Sequence, residues 1–216
     1  MATHTLLGRG KGKGIIAKSM AFTLAHEGRG EEGRRGKLYY DTSKQKNPTT
    51  GRVGIPTIGI GFNLNKAGAR ATIEAAGLNY DDILEGTVTL TKEQMDKLFL
   101  ADVRAAHKSA KTIFKNWDNF SDDRKIALAD MVLNLGATKF KSFSGMIKAI
   151  NSGTGTGTSD WDAAAYEALT NEAHTGPSLW YTQVKDRRAL GVAEKLRGRK
   201  EAAPFPLSPP VLDMGE

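Results

Sequence analysis

Two carboxylates and a hydroxyl within residues 22–64 carry the chemistry open to this chain. Glu27 closes the segment F-T-L-A-H-E-G, where a short apolar helix runs into glycine. Asp41 follows the aromatic run L-Y-Y in L-Y-Y-D-T, and Thr57 opens the alternating, glycine-rich T-I-G-I-G-F-N-L. Two carboxylates across a cleft are the minimum needed to break a glycosidic bond. One protonates the leaving oxygen; the other activates water or stabilises the developing charge. Each residue alone has a plainer reading. A Glu before Gly is an ordinary solvated helix end, Asp-Thr an ordinary turn, and T-I-G-I-G a strand whose glycines admit another backbone. The ordered combination is what points to a site.

The elements around these residues are legible from their periodicity. Ile15, Ile16, Met20, Phe22 and Leu24 predict a short helix with a wide apolar face, ending near Gly28. Residues 30–36 read as a charged, glycine-rich loop. Residues 38–42 and 54–62 read as strands, with N-P-T-T-G as the turn between them. Residues 65–90 form a longer connection with short helices at 69–76 and 80–85. Thr91 and Gln94 make a capping box. Met95, Leu98, Phe99, Val103, Ala106, Ala110, Ile113 and Phe114 then follow helical spacing. Ser121 caps a helix that is apolar nearly all round, which belongs at a domain centre, and Gly136 is placed to end it. A short helix around Phe143–Ile150, a Gly/Thr loop at 151–159 and helices at 161–173 and 178–196 complete the body. G-R-G-K-G-K-G near the start reads as a flexible basic tail over 1–14. P-F-P-L-S-P-P-V cannot continue a helix.

Composition narrows the class. With 216 residues, 39% hydrophobic and 25% charged, the chain is an ordinary globule with room for a substantial core. It has no cysteine, which excludes disulfides, thiolate metal sites and a thiol nucleophile. No apolar run approaches the ~18 residues of a spanning helix, and the basic N-terminus is not followed by a signal-peptide core. The net charge of +7 is uneven: residues 1–52 hold 11 Lys/Arg against 4 Asp/Glu, and residues 53–216 hold 20 of each. That excess reads as a solvated basic face, or as attraction to a polyanion such as cell-wall polymer, lipopolysaccharide or nucleic acid.

Other motifs fail on context. Gly28-x-Gly30-x-x-Gly33 follows a helix, not a strand, and Glu31 and Glu32 would oppose a pyrophosphate. His4, His26, His107 and His174 have no metal spacing, so neither metal nor cofactor is expected. His26 adjoins Glu27, but neighbours on a helix face apart. Trp117, Trp161 and Trp180 read as core anchors, with Trp180 the best placed to touch a site.

The order helix-Glu-Gly, aromatic-Asp-Thr, Thr-Ile-Gly-Ile-Gly resembles the phage-type lysozymes, the endolysin muramidases. The resemblance continues through T-K-E-Q-M-D-K-L-F-L-A-D-V (91–103), similar to the start of that family's long joining helix. R-K-I-A-L-A-D-M-V-L-N-L-G (124–136) resembles its buried central helix; W-D-A-A-A (161–165) and L-W-Y-T-Q-V-K-D-R-R-A (179–189) resemble later ones. It covers roughly residues 15–198. It implies a mostly helical α+β, lysozyme-like fold: a catalytic domain over about 15–200, with a small N-terminal sheet lobe (about 27–90), a connecting helix (about 91–115) and a helical lobe (about 116–200). A Pro-rich tail follows over 201–216.

By the same resemblance the reaction is hydrolysis of peptidoglycan between N-acetylmuramic acid and N-acetylglucosamine, with inversion. Glu27 would be the general acid, its pKa raised by desolvation where the helix meets the cleft. Asp41 would activate water or stabilise the oxocarbenium-like transition state, and Thr57 would position that water. Arg187 falls where the family carries an arginine near the catalytic Glu. Asn134 and Gly136 lie where the central helix faces the cleft, and Gly59 and Gly61 would let substrate approach the backbone. A monomer acting on peptidoglycan is expected, not a nucleic-acid binder. It would be held in the host cytoplasm until released to the wall, or carried on a virion.

The chain also departs from the family. Asp41 lies 14 positions after Glu27, and Thr57 lies 16 after Asp41, both longer than the compact family spacing. Longer hairpins account for this; otherwise Glu31 or Glu32 replaces Asp41. Phe62 stands where the family often has histidine, so any ion pair made by that histidine is lost. Leu133 replaces a common aromatic residue. The alternatives are a lytic transglycosylase, or a non-catalytic wall-binding or virion structural module.

Overall fold

The computed structural model describes residues 14–26, 35–46 (backbone alone for 42–46), 51, 53–152 and 160–198. In chain order these form α1 (Ile15–His26), β1 (Arg35–Lys46), β2 (Val53–Gly59), β3 (Phe62–Asn63), α2 (Ala69–Ala75), α3 (Tyr80–Glu85) and α4 (Lys92–Ile113). After a single 3-10 turn at Trp117–Asn119 come α5 (Asp122–Leu135), α6 (Ala137–Phe140), α7 (Ser144–Asn151), α8 (Trp161–Leu169) and α9 (Leu179–Arg197). The chain is mostly helical, with one small antiparallel sheet of order β1-β2-β3 near its N-terminus. This is the lysozyme-like α+β class that the resemblance implies. Two compact units divide within α4, at Ala105 and Ala106. No helix among the described residues is long and apolar enough to cross a membrane.

The first unit is built on the sheet. Ile58, Phe62, Leu64, Ile73, Ile83, Leu90, Met95 and Leu98 form its core, with Leu38 and Tyr80 packed against it. Strand alternation sorts the sheet's side chains. Tyr40 pairs with Pro56 and Ile58 with Phe62, on the face that carries Leu38 to this core. α3 starts at Asn79, whose side chain accepts from the N–H groups of Asp81 and Asp82, and stops at Gly86 in the left-handed conformation. The expected capping box starts α4: the Thr91 N–H donates to Gln94 Oε1 at 2.8 Å, and the Gln94 N–H to Thr91 Oγ1 at 3.3 Å.

In the second unit, Phe114, Trp117, Phe120 and Phe140 pack as a chain of ring contacts 5.9–6.4 Å apart. Ser121 caps α5 as expected. The fully buried positions of α5 include one acid, Asp130.

Three expectations are corrected. The strand expected over 54–62 is two strands, because Gly59 (φ 64°) and Gly61 (φ 69°) turn the chain between them. The helix expected over 161–173 stops at Leu169. There Thr170 bridges Pro177, and Asn171 ties the loop, its N–H donating to Gly176 O and its Oδ1 accepting from the Thr175 N–H. On α1 the buried residues are Ser19 and Thr23, while Ile15, Ile16, Met20, Phe22 and Leu24 are only half-buried. Ser19 and Thr23 are four apart, so they share one face.

Candidate active site

Glu27 lies outside the described residues, as do Glu31 and Glu32. The helix leading to Glu27 is described to His26, whose Nδ1–H donates to the Phe22 carbonyl at 2.7 Å. His26 is thereby tied back to its own helix, its ring 4.5 Å from that of Phe22.

Asp41 and Thr57 share one face of the sheet. Tyr39 pairs with Thr57 and Asp41 with Ile55. Directly paired residues project to the same side, as do residues two apart, so Tyr39, Asp41, Ile55 and Thr57 line the face opposite the core. Asp41 and Thr57 are diagonal neighbours on it, an arrangement that sets the two residues about 7–8 Å apart, with their Cβ atoms somewhat closer and side chains able to converge. Asn63, paired with Thr57 from β3, extends the row. Asp41 is exposed, whereas Thr57 is 4% exposed and its hydroxyl donates to the Ile55 carbonyl at 2.9 Å. Having given its only hydrogen, that hydroxyl can only accept from a further partner.

Within the described residues β1 is irregular on both sides of Asp41. From Asp41 to Lys46 the chain takes five steps opposite the two from Ile55 to Val53; from Arg35 to Tyr39 it takes four opposite the two from Gly59 to Thr57. Asp41 therefore ends the short regular stretch 39–41 inside a strand of 12 residues, rather than ending the strand. Gly54 secures that point from β2. At its φ of 114° a Cβ would stand 2.4 Å from the Asp41 carbonyl oxygen and 3.0 Å from Tyr40 Cβ. Sequence reasoning passed over Gly54 and Asn63. The turn at Gly59–Gly61 hid the pairing of Asn63 with Thr57.

The glycines expected to admit substrate have a conformational role as well. Gly59 and Gly61 supply the positive φ of the β2–β3 turn, and Met95 of α4 packs 3.4 Å from where a Gly59 Cβ would be. Gly136 ends α5 with φ 76° and ψ 149°, with nothing within 4 Å of its Cβ direction.

In the second unit, Asn134 is exposed, and its Oδ1 accepts from Trp180 Nε1 at 3.1 Å. Trp180 is 1% exposed and edge-on to Phe143, so it is a core anchor as expected. Trp161 packs edge-on to Phe120 beneath the Arg124 guanidinium. Arg187 is exposed. Its neighbour Arg188 is buried, donating through Nε and Nη2 to the two oxygens of Asp130 at 2.9 and 3.0 Å. The clue to that pair was an acid inside a helix otherwise apolar on its buried positions.

A cation stands over Phe62. Lys66 lies 3.6 Å over the Phe62 ring and is ion-paired with Asp102. Burial lowers the pKa of Lys66 and raises that of Asp102, in each case outweighing the pairing. A shallow depression nearby is lined by Asn65, Lys66, Arg70, Glu74 and Tyr80, among others. It includes none of the residues singled out from sequence, and its cations are already engaged: Lys66 by Asp102, Arg70 by both oxygens of Asp81.

Comparison with known proteins agrees with this architecture. The chain is similar to the pre-baseplate central spike protein Gp5 of Enterobacteria phage T4. The two are 29% identical over 190 residues, which is 83% of this chain and 28% of that protein. The chain thus spans little more than a quarter of that relative's length. A family model described as phage lysozyme matches residues 30–178. The match takes in Asp41, Thr57, Gly59, Gly61, Asn134 and Gly136; Glu27 stands before its start and Arg187 beyond its end. This chain belongs to the phage lysozyme family.

Proposed function

We propose that this chain is a peptidoglycan hydrolase cutting the β-1,4 bond between N-acetylmuramic acid and N-acetylglucosamine. Family membership implies peptidoglycan hydrolysis. The observation that carries the finer reading is the diagonal pairing of Asp41 with Thr57 on the sheet face away from the core.

In this reading Glu27 protonates the glycosidic oxygen as the bond to the anomeric carbon breaks. A water attacks that carbon from the opposite face of the sugar, inverting it. Inverting carboxyls stand about 6.5–9.5 Å apart to leave room for the water. Thr57 has given its hydrogen to Ile55, so towards the water it accepts. Asp41 also accepts. The two take the water's hydrogens and leave a lone pair directed at the anomeric carbon, with Asp41 receiving the proton as the new bond forms. Asn134, Gly136, Arg187 and the Gly59–Gly61 turn bind the sugar chain. The biological role is lysis or penetration of a bacterial wall by a phage. The similarity to a phage spike protein favours a virion-carried enzyme over a free endolysin.

Kinetics of two variants test the water-activating pair. Asp41→Asn, and Thr57→Val, which keeps shape but removes the acceptor, should each lower kcat by about 10²-fold or more with little change in KM. Mass spectrometry of the products should find reducing muramic acid ends that carry the mass of one added water. Anhydro-muramic ends would assign the chain to the transglycosylases instead. Full turnover by Asp41→Asn, with loss in Glu31→Gln or Glu32→Gln, would move Asp41's role into the preceding segment.

A further inference from the structure

Helix α9 is broken at Lys185, whose φ of 67° and ψ of 168° interrupt the helical backbone. That region is essentially reserved for glycine, and a side chain there stores strain that persists only where neighbours over-determine it. Two residues of α5 hold α9 on either side of the break. Asp130 and Asn134 stand four residues apart and so share a face of that helix. Asn134 holds Trp180, before the break. Asp130 holds Arg188, after it, through two parallel hydrogen bonds. Both halves of α9 are thereby fastened to successive turns of one helix. A guanidinium–carboxylate fork fixes orientation as well as distance.

Arg187 sits between the break and the fork. Consecutive helical residues point about 100° apart, so turning Arg188 inward onto Asp130 turns Arg187 outward. We propose that Asp130 and Arg188 are a positioning pair: they set the segment after the Lys185 break so that Arg187 offers its guanidinium to the substrate's oxygen-rich sugar chain. This rests on the reading of Arg187 as a substrate-binding residue. A buried ion pair adds little net stability over well-packed apolar residues of similar size. What this pair adds is the angle at which the segment is held.

The test is a set of variants assayed on soluble peptidoglycan fragments. Asp130→Leu/Arg188→Met should fold with near-normal thermal stability, because apolar replacement of both partners is commonly tolerated. Its KM should rise about tenfold or more while kcat changes less, since small misplacements of a binding group have effects of that order. Arg187→Ala should raise KM similarly, and adding it to the double variant should cost little more. Arg188→Lys keeps the charge, loses the fork, and should fall between. A wild-type KM in the folded double variant, or independent effects that multiply, overturns the proposal while leaving Arg187 as a ligand. Should the double variant not fold, a wild-type KM in Arg188→Lys overturns it equally. A wild-type KM in Arg187→Ala overturns the substrate-binding reading of Arg187 and this proposal with it.

Discussion

At the residue scale, the polar groups buried in the second unit decide how it tolerates change. Asp130 is 2% exposed and its partner Arg188 5%. Asp130→Ala would strip the buried Arg188 guanidinium of the carboxylate that its fork grips, and breaking a buried pair from one side costs about 3–5 kcal/mol. Urea unfolding should register that loss as a lower midpoint, and an unchanged midpoint would contradict the pairing. His107 makes a different prediction, in pH. It lies in the second unit edge-on to Trp117, and burial, then the charge of Lys125, hold its pKa below the ordinary imidazole value of about 6.5. The folded protein therefore binds fewer protons than the unfolded chain. The resulting stability is present above pH 6.5 and is lost as pH falls below it. Thermal midpoints measured down through that window should fall more steeply for the wild type than for His107→Phe, which keeps an aromatic ring and takes no proton. Parallel slopes would show that His107 is not the source.

At the element scale, β1 holds Asp41 between two irregular stretches, and Gly54 closes against it from β2. Gly54→Ala adds a methyl 2.4 Å from the Asp41 carbonyl at a φ of 114°. Gly51→Ala is the control, since Gly51 also has positive φ (66°) but nothing within 4 Å. The first should lower the thermal midpoint clearly more than the second, whose strain is of order 1 kcal/mol; equal effects would mean the close approach to Asp41 does not matter. Helices and caps were legible in the sequence because their signals are local. The Thr91–Gln94 box, Ser121 and the short helices at 69–76 and 80–85 each rest on residues within a turn of one another. What was not legible depends on distant residues. The hairpin register that puts Asn63 beside Thr57, the bulges of β1 and the Asp130–Arg188 fork across 58 positions are settled by pairing, not by periodicity. Likewise α8 ends at Leu169 because Asn171 and Pro177 close a loop on it, although the apolar pattern continues to Ala173.

At the scale of the whole molecule, two compact units divide within α4. The first carries Asp41 and Thr57, and the second carries Asn134, Gly136 and Arg187. The residue on which the account turns, Glu27, follows directly on α1, whose last residue is His26. It was read from sequence alone, by its position between a helix and glycine and by the order of the segments that follow. Its proposed task is one that amide chemistry separates cleanly from shape: Glu27→Gln keeps size and polarity but has no proton to give. The decisive measurement is the initial rate of clearing of purified cell walls by wild type and Glu27→Gln at equal concentration, with circular dichroism confirming that both are folded. General acid catalysis contributes about 10²–10⁴-fold, so the account predicts that clearing by the folded variant falls by at least 10²-fold. Clearing at a rate near that of the wild type would contradict it, and the proton would have to come from another group.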